Sequence, residues 1–158
     1  MITVSNTTPI ISLSSIGKIE LLKEIFQEII IPEAVYNEIK AKQSYGFSEV
    51  DLEFISVQSV KNRKKPNSSL YALDIGEIET ILLSQELNAD NTLIDEKIGY
   101  NAAKKSGLNA IRTLSILLKA KELKIVSEVK PLITEMISKG RWYSNNVYIQ
   151  FLKKADEL

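Results

Sequence analysis

Short apolar stretches alternate with amphipathic stretches along most of this 158-residue chain. Strands are predicted where β-branched and aliphatic residues run together between polar or turn-forming residues. Helices are predicted where apolar side chains recur every three or four positions. The predicted strands are 2–4, 28–31, 52–60, 92–94 and 108–111. The predicted helices are a turn at 10–14 and segments at 17–26, 32–44, 74–88, 96–106, 113–123, 127–140 and 145–158.

This alternation of strand and helix predicts an α/β fold with a mostly parallel sheet covered by helices on both faces. The last two predicted helices form a C-terminal helical extension over about 127–158. The length suits one domain spanning 1–158, and we find no internal repeat or linker in the sequence.

The composition restricts the possible chemistry of the protein more than it restricts the possible fold. Hydrophobic residues make up 44% and charged residues 25% of the chain, as in ordinary globular proteins. Twenty Lys and Arg balance twenty Asp and Glu, so binding of nucleic acid requires a local basic patch. The chain has no Cys and no His, which excludes thiolate or imidazole metal ligands and a Ser-His-Asp triad. Acid–base chemistry is left to carboxylates, Lys, Tyr or metal-bound water.

No apolar run approaches the roughly 20 residues of a membrane span. The first residues lack the basic and apolar regions of a signal peptide, so we expect a cytoplasmic location. The chain also contains no Gly-x-Gly-x-x-Gly or P-loop sequence, which disfavours a small-molecule enzyme built on nucleotide binding.

Four polar residues lie where the sheet is expected to bring its strand ends together. They are Asn6, Glu38, Glu77 and Asp95. In an open parallel sheet, functional groups gather outside the carboxyl ends of the strands. Clustered oxygen ligands suit a hard cation such as Mg²⁺ or Mn²⁺, and such a site indicates phosphodiester chemistry.

Each of these residues also has a purely structural interpretation. Asn6 and Asp95 are favoured as helix N-caps. Glu38 shares a helix face with Val35 and leans toward the apolar boundary, yet a single glutamate there is commonly a solvated surface residue.

Glu77 has a more specific structural alternative, because Asp74 as N-cap and Glu77 three residues later form a capping box. Glu79 and Glu96 are further acids near the same edge. We expect them to be solvated or to lie behind the ligands of the site.

Two further motifs have both functional and structural interpretations. The basic run at 61–65 can contact phosphates, although such runs are often mobile, solvated loops. Arg141, Trp142 and Tyr143 combine a cation with aromatic rings, which suits stacking on bases. The same triplet also suits a partner-binding anchor or packing of the last helix.

Taken together, these motifs resemble the PIN-domain nucleases. More specifically, the chain resembles an uncharacterised branch of PIN-like proteins often associated with bacterial toxin–antitoxin pairs. The matching stretches are 4–11, 31–39, 76–81, 93–96, 113–121 and 136–142. Each motif is weak alone, but their order and spacing across nearly the whole chain make the combination specific.

The resemblance implies a three-layer α/β/α sandwich and an endoribonuclease that uses one or two Mg²⁺ or Mn²⁺ ions. On this mapping the catalytic acids are Glu38, Glu77 and Asp95, and the metal-site residues are these three with Asn6 and Glu96. The predicted nucleic-acid contacts are Thr7 and Thr8, together with Lys61, Arg63, Lys64 and Lys65 of the basic run. The expected partners are RNA, an antitoxin protein and a second copy of the chain in a homodimer.

The chain departs from the family pattern at Asn6, which stands where the family has its first aspartate. A carboxamide offers one neutral oxygen in place of a charged group with two, so the affinity for a divalent cation should fall. Two functions therefore remain open. One is a ribonuclease with a weakened site, and the other is a catalytically inactive module that binds RNA or protein.

Overall fold

A five-stranded parallel sheet forms the centre of the computed structural model, which describes residues 1–62 and 72–158. Its strands are β1 (Thr3–Ser5), β2 (Ile29–Pro32), β3 (Ile55–Gln58), β4 (Asn91–Leu93) and β5 (Ala110–Ile111). They lie in the order β3-β2-β1-β4-β5, and every neighbouring pair is parallel. The predicted α/β class with a parallel sheet is confirmed.

Eight α-helices accompany the sheet in these two ranges. They are α1 (Thr7–Ser15), α2 (Glu20–Phe26), α3 (Glu33–Lys40), α4 (Ile75–Glu86), α5 (Lys97–Lys105), α6 (Thr113–Glu122), α7 (Lys130–Ser138) and α8 (Asn145–Lys154). A short 3₁₀ turn at Glu49–Asp51 precedes β3. None of the helices in the described part of the chain has both the length and the apolar character needed to cross a membrane.

Alternate residues of the strands enter separate hydrophobic cores. In β2, Ile29 and Ile31 belong to a large core that also contains residues of α1, α2, α3, α6, α7 and α8. Ile30, between them, packs against a small cluster that contains Val4 of β1 and Leu83 of α4. Successive strand side chains point to opposite faces, so the sheet is covered on both sides as in an α/β/α sandwich.

The order of the strands reverses at β1, and this reversal positions the candidate site. The chain runs outward from β1 through β2 to β3, and then returns to build β4 and β5 on the other side of β1. Ligands of open α/β sheets bind at such a switch point, beyond the carboxyl ends of the strands. Asn6 follows β1 directly and Asp95 follows β4, so both lie at this edge.

Several helix boundaries differ from the prediction. The turn expected at 10–14 is a nine-residue helix, because Pro9 lies in its first turn, where a missing N–H costs little. Helix α3 ends at Lys40 rather than near residue 44. The chain then turns through Gly46, whose φ of 91° favours glycine.

The C-terminal helices are also shorter than the predicted segments 127–140 and 145–158. The Glu157 carboxylate accepts hydrogen bonds from the backbone N–H groups of Val129 and Lys130. It also forms an ion pair with Lys121 at 2.9 Å. These contacts hold the end of the chain against the start of α7 and the last turn of α6.

Candidate active site

Asn6 occupies the N-cap position of α1, but its side chain does not cap the helix. Its backbone N–H donates to the carbonyl of Leu93 at 2.8 Å, which joins β1 to β4 at the switch point. The residue is only 4% exposed. No described residue donates a hydrogen bond to Oδ1. The side chain is therefore a buried oxygen donor available to something other than the helix.

Gly76, in the first turn of α4, shows where the Asn6 oxygen points. A Cβ built on Gly76 would lie 3.2 Å from Glu38 Oε2, 3.4 Å from Asn6 Oδ1 and 3.5 Å from Asp74 Oδ1. Three oxygens from α3, from the end of β1 and from the N-cap of α4 therefore face the same small space. The absence of a side chain at Gly76 keeps that space open.

Glu38 is exposed on α3, as the surface interpretation expected, but one of its oxygens is held in place. Thr7 Oγ1 donates to Glu38 Oε2 at 2.6 Å. This bond orients the carboxylate toward the start of α1 and toward Gly76. Thr7, predicted as a nucleic-acid contact, is itself buried beside the carboxylate in this structure.

Glu77 forms the capping box that its spacing from Asp74 indicated. The Glu77 N–H donates to Asp74 Oδ1 at 2.8 Å, and the Asp74 N–H donates to Glu77 Oε1 at 3.3 Å. The other oxygen, Oε2, is buried beside Gly99 of α5, and no described residue donates to it. The structural and the functional interpretations of Glu77 are thus compatible, since only one of its oxygens serves the cap.

Burial raises the pKa of Glu77 to about 7, and the nearby negative charges of Asp74 and Glu96 add to the effect. Only 7% of Glu77 is exposed to solvent. Desolvation disfavours the charged form of a carboxyl group, and neighbouring carboxylates disfavour it further. A group that changes protonation near neutral pH suits proton transfer, and it also suits release of a proton when a cation binds.

Asp95 is buried and fully hydrogen-bonded in this structure. Its Oδ1 accepts from the backbone N–H of Thr113 at 2.8 Å and from Thr113 Oγ1 at 2.9 Å. Its Oδ2 forms an ion pair with the Arg141 guanidinium at 3.0 Å. The carboxylate therefore stabilises the N-terminus of α6. It does not cap α5, whose N-cap residue is Glu96.

The pairing of Arg141 with Asp95 is a feature of the site that the sequence analysis missed. Arg141 comes from the loop between α7 and α8, and its guanidinium lies 4.6 Å from the centre of the Tyr143 ring. Burial raises the pKa of Tyr143 to about 12, so its hydroxyl stays protonated. Asp95 and Arg141 are 46 positions apart in the sequence, so the contact had no local signal.

The two additional acids have different environments. Glu96 is exposed and accepts a hydrogen bond from Thr8 Oγ1 at 2.7 Å, which holds it near the start of α1. Glu79 is 5% exposed, and its Oε1 accepts from the backbone N–H of Ala34 at 3.1 Å. Of the two alternatives expected for Glu79, the solvated one does not hold, because its carboxylate accepts a hydrogen bond at the N-terminus of α3.

Lys61, the one predicted basic contact among the described residues, does not join this group. Lys61 is exposed, and its backbone N–H donates to Glu86 Oε2 at 3.1 Å. Glu86 is the last residue of α4, so Lys61 lies at the end of that helix remote from the site. Arg63, Lys64 and Lys65 lie outside the described residues.

The oxygens that face Gly76, together with Glu77, offer a hard donor set of the kind that Mg²⁺ and Mn²⁺ prefer. No described residue donates a hydrogen bond to the buried Asn6 Oδ1 or Glu77 Oε2, so both atoms are available as ligands. Among the described residues, however, no three acidic side chains are already grouped as a metal site. The oxygens of Asn6, Glu38 and Asp74 around Gly76 are therefore of a type that suits a hard cation, whereas both oxygens of Asp95 are engaged by Thr113 and Arg141.

Comparisons with known proteins agree with the fold. A family model described as a PIN domain matches residues 2–157. Among solved structures, the chain is similar to a PilT N-terminus domain protein from the hyperthermophilic archaeon Sulfolobus solfataricus P2. The TM-score is 0.52 at 17% identity, over 92% of this chain and 98% of that one. A search of curated proteins found no match. The family model spans nearly the whole sequence, and the chain therefore belongs to the PIN domain family.

Proposed function

We propose that this protein is a Mg²⁺- or Mn²⁺-dependent endoribonuclease whose metal site is weakened by Asn6. PIN domains are generally nucleases that use divalent metal ions. The observation that carries the proposal is the pair of buried oxygens without described donors, Asn6 Oδ1 and Glu77 Oε2. They lie with the Glu38 carboxylate at the carboxyl edge of the sheet, where such folds place their ligands. The proposal includes RNA as substrate and, with it, a cytoplasmic location.

Asn6, Glu38 and Glu77 would hold the cation, and Asp95 would join after release from Arg141. A divalent ion at such a site polarises a phosphodiester and makes water a better nucleophile near neutral pH. With Glu77 and Glu38 ionised, the site has two negative charges from three ligands. A PIN site with aspartate at position 6 would have three, so we expect weak binding here.

The remaining residues orient these ligands and move protons. The Thr7 hydroxyl holds the Glu38 carboxylate, and the Thr8 hydroxyl holds that of Glu96. The Glu77 carboxyl, with a pKa of about 7, can accept or release a proton at Oε2 under physiological conditions. Ionisation of Glu77 and binding of the cation should therefore favour each other.

A second candidate function is a PIN-like module that binds RNA or protein without cleaving. The ion pair between Asp95 and Arg141 favours it, because both oxygens of one predicted catalytic acid are occupied. In this case Asn6 and Arg141 both reduce the negative charge of the site. Asn6 replaces a charged aspartate with a neutral amide, and Arg141 neutralises Asp95. An antitoxin or a second copy of the chain would then be the partner to seek.

The decisive experiment restores the missing charge. Asn6→Asp should tighten Mn²⁺ binding by roughly tenfold or more, since a unit charge a few ångströms from the ion contributes about 1–2 kcal/mol after desolvation. Asp95→Asn should weaken it. Binding is measured by the increase in melting temperature with Mn²⁺. Cleavage of a mixed RNA pool is measured with Mg²⁺ or Mn²⁺, and with chelator as the control.

Asn101→Asp is a matched control, because it makes the same substitution at an exposed position on α5. The proposal expects the largest melting shift and the fastest cleavage from Asn6→Asp, and wild-type behaviour from Asn101→Asp. Equal and negligible metal-dependent cleavage by all variants, with RNA or partner binding retained, would support the binding module instead.

A further inference from the structure

A groove of about 680 Å³ extends from the candidate site along the C-terminal part of the protein. Asp95 and Glu96 lie at its wall, and so do residues of the loop between α7 and α8 and one side of α8. The groove is thus continuous with the edge of the sheet at which the proposed cleavage occurs. A polymeric substrate held at that edge has to leave it along some surface of the protein.

Cations from three separate elements line this groove. Lys97 begins α5, Arg112 precedes α6 and Lys154 ends α8. All three are exposed, and none forms an ion pair with an acid in the described ranges. The Arg112 guanidinium stacks 3.8 Å from the centre of the Tyr100 ring, which limits its motion. A chain with no net charge therefore has a local positive surface beside its acidic site.

Trp142 is the one tryptophan of the sequence, and it is 75% exposed at the groove. Its neighbours are anchored. Arg141 is bound to Asp95, and the Tyr143 ring packs under that guanidinium. The loop is thus held on both sides of the indole while the indole itself projects into solvent. Exposure of so large an apolar ring is unfavourable in water, and an aromatic ring among cations is the usual platform for a stacked base.

We propose that this groove binds the single-stranded RNA that flanks the cleavage position, with one base stacked on Trp142 and phosphates beside Arg112, Lys97 and Lys154. The inference rests on the proposed ribonuclease function and adds the surface that holds the substrate. Unpaired RNA fits better than a duplex, because stacking on a side chain requires a base free of its partner. The cations also favour RNA over an apolar peptide, which would leave them without a partner.

The test uses the single tryptophan as a reporter. A short oligouridine RNA is titrated into the full chain in the presence of chelator, so that binding is measured without metal-dependent cleavage. Binding is followed by anisotropy of a label on the RNA and, separately, by the fluorescence of Trp142. Stacking of a base should quench the indole. Trp142→Ala should weaken binding by about tenfold or more, and Trp142→Phe should retain most of it.

The cations are tested through salt dependence. Each phosphate contact in a single strand contributes a slope of about 0.7 to the plot of log affinity against log salt. Arg112→Gln and Lys154→Gln should each reduce the slope by about that amount. Lys23→Gln, an exposed lysine of α2 outside the groove, should leave it unchanged. Melting curves establish that each surface variant is folded.

The outcomes separate this inference from the proposed function. RNA binding with unchanged Trp142 fluorescence and unchanged slopes would overturn the groove while leaving the ribonuclease proposal intact. Loss of self-association by Trp142→Ala with full RNA binding, measured by sedimentation, would assign the groove to a protein contact and also overturn the inference. Quenching together with smaller slopes supports it even if no cleavage is found.

Discussion

The pKa of Glu77 leads to a sharp prediction about stability. The carboxyl group has an ordinary pKa of 4.5 and a folded pKa of about 7. Between these values the unfolded chain has released its proton and the folded protein retains it. The folded state then binds more protons, so stability must fall as the pH rises and level off above about 7.

The size of the effect follows from the shift. At about 1.36 kcal/mol per pKa unit, the full shift corresponds to roughly 3 kcal/mol, and the part between pH 5 and 8 to about 2–3 kcal/mol. Glu77 is 7% exposed, so solvent screens the effect little. Glu77→Gln abolishes the titration and keeps an oxygen that can accept from the Asp74 N–H, as capping boxes allow.

The assay is urea unfolding of wild type and Glu77→Gln at pH 5 and pH 8, both in chelator. The wild type should lose about 2–3 kcal/mol between these pH values relative to the variant. Titrating groups that do not interact with Glu77 contribute equally to both proteins and cancel in this comparison. Glu24→Gln, at an exposed position of α2, controls for removal of a carboxylate. The reasoning is refuted if Glu77→Gln and wild type show the same change in stability with pH.

Two further predictions concern the space at Gly76 and the contacts of Glu157 with Lys121 and the start of α7. Gly76→Ala would place a methyl group 3.2 Å from Glu38 Oε2. The increase in melting temperature with Mn²⁺ should therefore be smaller than in the wild type, while the metal-free variant stays folded. An unchanged increase would place the cation elsewhere. Glu157→Gln removes the charge that pairs with Lys121 and should cost about 1–2 kcal/mol at pH 7 in urea unfolding. Although burial opposes it, bonding to Lys121 and to α7 lowers the pKa of Glu157, so this contribution should be lost as the pH falls below the ordinary value of 4.5. A cost that is equal at pH 7 and pH 3 would contradict the assignment.

The sequence by itself determined the order of strands and helices and therefore the class of fold. Short β-branched runs separated by amphipathic helices can bury their apolar faces only as parallel strands with helical crossovers. The same pattern placed Asn6 and Asp95 after strands, because a polar residue that follows a buried apolar run is recognisable from the sequence alone. The capping box of Asp74 and Glu77 was equally legible, since both partners lie within one helical turn.

Only the tertiary structure decided which side-chain atoms of the candidate site residues remain available to bind a cation or a substrate. Arg141 forms an ion pair with Asp95. The buried Glu79 carboxylate accepts a hydrogen bond from the backbone at the N-terminus of α3. Lys61 lies at the C-terminal end of α4. Each of these outcomes depends on contacts between residues distant in sequence, and local periodicity does not encode them. Desolvation of Glu77 likewise results from burial of its carboxylate beside Gly99 of α5, so its raised pKa is a property of the folded protein alone.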